Sequence, residues 1–245
     1  MDVYAGLLAV HGVAGATALL TFWMAAFARK GSPLHRGSGK TYLIAMLAVM
    51  ATALPMAGFF LARGKPGTAT FLFYLVVITA TSCWLGWRAV RRKADQRGFR
   101  DRRYAAVAVF NLLTALVVAV YGVLHGQALM MGFSLVGIGI GSQMLWRARQ
   151  PLPPQRWWLR EHLGAMLGCG AATHVAFLSI GLNRVLDGLQ VSPPQGFGMI
   201  AWFLPVAVST AFALWLDRRH APHPPRTPVA VRSPLADPAT PIGGH

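Results

Sequence analysis

Acidic residues are scarce in this chain: 7 Asp and Glu stand against 23 Lys and Arg, and charged residues of both signs make up only 12% of the 245 positions. A soluble domain carries about 25% charged residues, so an ordinary globular surface is excluded. A membrane-embedded hydrolase is disfavoured as well. It needs a metal-bound water or an activated nucleophile, yet no HExxH spacing occurs and only Glu161 is placed beside a histidine of an apolar run. Cysteine is almost missing. Cys83 and Cys169 both fall in apolar runs, so no structural disulfide is expected and the redox compartment stays open. A cleaved signal is not evident either, because MDVYAGLLAVHG lacks a basic opening and its apolar run is too long; the first run is expected to be retained. Gly39-Lys40-Thr41 looks like the end of a phosphate-binding loop, but Leu34 stands where that motif needs its first glycine. No internal repeat of the kind many transporters show is visible.

Hydrophobic residues, by contrast, are 55% of the chain. Seven runs reach the roughly 20 residues that span a bilayer: Ala5 to Ala28, Tyr42 to Ala62, Thr68 to Val90, Tyr104 to His125, Ala128 to Trp146, His162 to Leu182, and Gly198 to Leu216. Lipid offers the backbone no hydrogen-bond partner, so these runs must be helices. The expected fold is all-α, a polytopic seven-transmembrane-helix bundle over residues 1–217, followed by a Pro-rich disordered tail over 218–245.

The formal charge of +16 would suggest nucleic acid in a soluble protein. Its placement points instead to topology and excludes a nucleic-acid partner. All basic residues except Arg63, Lys65 and Arg184 fall in the first, third and fifth connections or the tail. Basic loops remain in the cytoplasm, which puts the N-terminus outside and the C-terminus inside. Anionic lipid is the expected partner of the basic face. The linker RRKADQRGFRDRR reads as a solvated charge run, and Ser38 or Thr41 as a cap for the second helix.

Small residues mark helix contacts: Gly12, Ala14, Gly15 and Ala16 in the first run, Gly137 and Gly141 in the fifth, Gly164 and Gly168 in the sixth. Pro55 and Pro205 interrupt the second and seventh. The short turn His125-Gly126-Gln127 predicts an antiparallel hairpin of the fourth and fifth runs.

The most polar apolar segment is Arg156 to Asn183, with Glu161 and His162 at its head and His174 deep inside. Intramembrane ionisable groups are functional candidates by default. Sorted by depth, His11, His125 and His174 lie toward the outer half, whereas His35 and His162 lie at the cytoplasmic edge with Glu161 and Asp217 near them. Asn111, and Tyr121 one turn from His125, are further polar candidates. The two levels are what a membrane electron-transfer protein with haem b, or a transition-metal site, would require, since each haem takes an axial histidine from each of two helices. A proton-coupled transporter and a structural or assembly protein are the alternatives. Twelve residues separate His162 from His174, a rise of about 18 Å, so one ion cannot use both.

Leu34-His35-Arg36 with Gly39 and Tyr42, then Arg160-Glu161-His162, Met166, Gly168, Ala176-Phe177 and Trp202 to Pro205, resemble a bacterial family of multi-pass membrane proteins of unknown function. The resemblance runs from His11 to about Leu216. It implies a polytopic protein of the bacterial inner membrane, alone, as a homo-oligomer or beside a partner membrane subunit, and supplies no activity. His35 and His162 match its pattern, and His174 stands where an aliphatic residue is expected.

Overall fold

The computed structural model describes residues 3–150, 156–192 and 196–219, and no strand occurs among them. The helices are α1 (Val3–Phe27), α2 (Pro33–Ala62), α3 (Pro66–Arg91), the short α4 (Gln96–Phe99), α5 (Arg102–Leu124), α6 (Ala128–Arg149), α7 (Trp157–Ala176), α8 (Leu182–Gly188) and α9 (Phe197–Arg219). A π-helical turn, Phe177–Gly181, joins α7 to α8 without a break. Counted this way, seven helical segments are long and apolar enough to cross a membrane. The all-helical, seven-span architecture is therefore the one expected. The seventh apolar span ends at Leu216, inside α9, which continues to Arg219; the side chain of Asp217 and all of residues 220–245 lie outside the description.

Consecutive spans pair where the connections are short. The turn through Gly126, whose φ of +62° favours glycine, folds α6 back onto α5. The innermost helix is α3, which packs on α2, α5 and α7; α7 in turn packs on α1, α3 and α9. Along α1 the buried positions are Ala14 and Ala18, one turn apart, while Gly12 and Gly15 face open space. Alanine is small enough for that contact, so the glycines are not its seam. Gly141 does meet α5: a Cβ there would lie 2.6 Å from Leu112 Cγ and 2.9 Å from the Ala108 carbonyl. On α7 a Cβ at Gly168 would meet Ser82 Oγ at 3.1 Å, whereas Gly164 faces nothing within 4 Å.

Tyr74 of α3 makes an unusual link. Its hydroxyl donates to the Phe133 carbonyl (2.7 Å) and accepts from the Gly137 N–H (2.9 Å). Those two backbone groups are four residues apart in α6 and would ordinarily bond each other. The phenol oxygen is thus inserted into the helix's own ladder, and the missing side chain at Gly137 gives it room.

Two connections are more structured than the charge pattern indicates. The second helix begins at Pro33, nine residues before its apolar run, with the Ser32 side chain accepting from the His35 N–H at 3.2 Å. Serine at the cap followed by proline at the first helical position is a strong start signal. Ser38 and Thr41 are thus interior to α2, and so is Gly39-Lys40-Thr41, whose helical backbone cannot form a phosphate-binding loop. The basic linker after α3 keeps most of its charged side chains exposed, as a solvated run would, yet it is folded. Asp95 and Asp101 cap α4 and α5 by accepting from the N–H groups of Gly98 (2.8 Å) and Tyr104 (3.1 Å). Between those caps, Phe99 turns inward and is fully buried against Tyr104 and Trp157. Arg88 ties the linker down, pairing with Asp101 (2.7 Å) and donating to the carbonyls of Gly98 and Phe99.

Candidate functional site

Each of the five candidate histidines has a hydrogen-bond partner, and the partners separate them. A backbone carbonyl only accepts, so a ring nitrogen bonded to one must carry the hydrogen, which in neutral imidazole leaves the other nitrogen as a bare lone pair. His35, in the first turn of α2, bonds the Ala25 carbonyl near the end of α1 through Nδ1 at 2.9 Å. His162, in the first turns of α7, bonds the Gly86 carbonyl of α3 through Nδ1 at 3.0 Å. Both rings are half-buried, and they lie within electrostatic reach of one another and of Lys30. Lys30 itself caps α1 through the carbonyls of Ala25 and Ala26. The two histidines of the basic end, on α2 and α7, thus stand within electrostatic reach of one another, each oriented by its Nδ1 bond and each with Nε2 unused by that bond.

His174 is different. Trp23 Nε1, which can only donate, points at His174 Nε2 from 3.1 Å, and Nδ1 bonds the Gly170 carbonyl at 2.7 Å. Both ring nitrogens are committed, and Phe22 and Trp23 meet the ring edge-on. Its burial is satisfied by these contacts without a ligand. His11 bonds Thr52 Oγ1 through Nδ1 at 2.9 Å; the Thr52 hydrogen is directed to the Ala48 and Val49 carbonyls, so the imidazole is the donor. His125 is exposed at the end of α5, bonded to the Tyr121 carbonyl at 3.0 Å and stacked on the Tyr121 ring with centroids 4.0 Å apart. Among the described residues, no three or more His, Cys, Asp or Glu side chains form a group able to hold a metal ion.

Glu161 turns away from its histidine neighbour in the sequence. It is 9% exposed and forms an ion pair with Arg147 of α6 at 2.7 Å. Tyr104, buried beside this pair, has no hydrogen-bond partner for its hydroxyl among the described residues. Asn111 is fully buried at the centre of α5; its Nδ2 donates to Thr81 Oγ1 (2.8 Å), and its Oδ1 has no partner among the described residues. These groups tie α3, α5, α6 and α7 together, and neither Glu161 nor Asn111 reaches the histidine pair by any hydrogen bond described here.

Trp23 is the residue that sequence reasoning passed over. It lies within the first run rather than at a span end, and only the packing of α1 on α7 makes it the partner of His174.

Seven apolar spans of these lengths define a multi-pass helical membrane protein. Comparison with protein-family models, with curated proteins and with solved structures finds no match, so the chemistry has to be read from the side chains themselves.

Proposed function

We propose that the protein is a membrane electron-transfer protein that holds a haem b through Nε2 of His35 and His162. The observation that carries this reading is the pair of imidazoles on separate helices, each with Nδ1 donated to a backbone carbonyl and Nε2 left over. That outer hydrogen bond fixes the tautomer and raises ligand basicity, as it does for most metal-bound histidines. A zinc-like ion held by protein alone needs about four ligands, and only two are offered. Haem supplies the remaining donors from its macrocycle and asks the protein for axial ligands alone. When bound, the haem would supply a one-electron carrier. The protein's part is to orient the two rings through the Ala25 and Gly86 carbonyls and to keep Lys30 nearby. The outer histidines do not supply a second such pair, since His174 is saturated and His125 is exposed.

In this reading the basic end faces the cytoplasm of a bacterial cell, against anionic headgroups of the inner membrane. Electrons would then pass to a partner membrane subunit or a second copy. Proton-coupled transport has less support, because Glu161 is already held by Arg147.

The test is the absorption spectrum and metal content of the full-length protein purified in detergent. A Soret band and stoichiometric iron are expected, both lost in His35→Ala and in His162→Ala and kept in His174→Ala and His125→Ala. Protein that folds yet shows neither a Soret band nor bound metal overturns the proposal.

A further inference from the structure

Cys83 of α3 and Cys169 of α7 are 86 residues apart in sequence, yet their Sγ atoms lie 3.5 Å from each other as free thiols, 8% and 0% exposed. Sulfur surrounds them. Met46 of α2 belongs to the same buried cluster, and Met50 and Met166 pack against it. Met46 is directed inward: its Sδ accepts from Thr173 Oγ1 at 3.5 Å, and Thr173 sits one turn beyond Cys169 and bonds its carbonyl at 3.0 Å. Tyr42, on the helix that carries Met46, donates its hydroxyl to Thr173 (3.0 Å), and Phe22 closes the side toward α1. Three helices therefore deliver two thiols and a thioether to one buried cluster of the bundle.

We infer that Cys83, Cys169 and Met46 form a binding site for a single soft monovalent d10 ion, cuprous copper. Thiolate and thioether donors select Cu(I), zinc and iron–sulfur clusters. Zinc wants about four N, O or S ligands in a tetrahedron, and among the described residues no further histidine, cysteine or carboxylate completes such a group; an iron–sulfur cluster takes about four cysteines. Cu(I) accepts low coordination numbers and uncharged thioether sulfur, which is the set present. Two metal–sulfur bonds of about 2.3 Å at a trigonal angle span about 4.0 Å, so the thiols, 3.5 Å apart, have to open by roughly half an ångström to take the ion. On binding, each cysteine S–H bond breaks and its proton passes to buffer, both sulfur electron pairs go to copper, and copper enters and stays cuprous, so no oxidant or reductant is consumed. The site is independent of the proposed haem ligands and survives if that reading fails.

The test is anaerobic titration of the reduced full-length protein in detergent with Cu(I) against a competing chromophoric chelator, followed by X-ray absorption at the copper edge. One equivalent is expected, with sulfur-only scattering at about 2.3 Å. Cys83→Ser and Cys169→Ser should abolish it. Met46→Leu, close in volume, should weaken it roughly 10-fold or more while the protein remains monodisperse, using the loss typical for disturbing a metal's surroundings as a lower bound. His35→Ala/His162→Ala should leave it intact, which separates this site from the haem. Copper that is retained by the double serine variant, copper that is lost with the histidines, or no binding above that of the double serine variant each overturns the inference.

Discussion

The phenol inserted into α6 makes a sign-based prediction about Gly137. Replacing it with alanine removes the helix penalty of glycine, a gain of about 1 kcal/mol. Against that gain, the new Cβ collides with the Tyr74 hydroxyl and comes to 3.0 Å from both Tyr74 Cε2 and Ala115 Cβ. Overpacking of this kind costs about 1–3 kcal/mol, so Gly137→Ala should be net destabilising by up to about 2 kcal/mol. Tyr74→Phe removes one donated and one accepted hydrogen bond, but the Phe133 carbonyl and Gly137 N–H it abandons are the right distance apart in sequence to bond each other. Its cost should stay near 1 kcal/mol, the net value of a single such bond. In the phenylalanine background the worst clash is gone, and Gly137→Ala should become neutral or mildly stabilising. A coupling of about 1 kcal/mol or more between the two positions is then expected, as for other residues in direct contact. Thermal unfolding of the four proteins in one detergent gives the cycle. An alanine that costs the same with and without the Tyr74 hydroxyl would refute the inserted-phenol account.

Glu161→Gln should destabilise by about 3 kcal/mol, the usual cost of leaving half of a largely buried pair. Melting temperature measures it, and Glu161→Gln/Arg147→Met should recover much of the loss. A Soret band that survives Glu161→Gln would agree with its structural role. The Asp95 carboxyl is held below its ordinary value of 3.8, first by the Gly98 N–H and then by Arg92. Since its folded value is depressed, the cap is fully effective above 3.8 and is lost as pH falls through that lower value. Protection of the amides of residues 96–99 relative to their intrinsic exchange should therefore fall below pH of about 4 in the wild type, and Asp95→Ala should be poorly protected throughout; identical pH profiles would count against the cap.

Much of the fold was legible because spans and hairpins are local properties: run length set the seven helices and a short polar turn set the pairing of α5 with α6. The Ser32-Pro33 start was equally local, but the basic residues around it read as a connection between spans, whereas His35 belongs to the first turn of α2. Phe99 was hidden in the same way inside a run of arginines whose two aspartates turned out to be caps. Depth along each span could place His35 and His162 at one level. It could not reveal which carbonyl each ring bonds, because that depends on how α2 and α7 rotate about their own axes. The contacts of Trp23 with His174 and of Cys83 with Cys169 are wholly tertiary, and no pattern within either partner announces them.

The π turn at Phe177–Gly181 has a consequence for the sixth span as a whole. Its closing bond, from the Leu182 N–H to the Phe177 carbonyl, encloses one residue more than an α-turn does. One residue is about 100° of helix rotation, so the segment bearing Asn183 and Arg184 is turned by that angle from where an unbroken helix would aim it. The helix behaves as two faces coupled by a phase step. Deleting a single residue within the turn would erase the step and swing Arg184 around the axis, while the half that carries His162 and Cys169 kept its register.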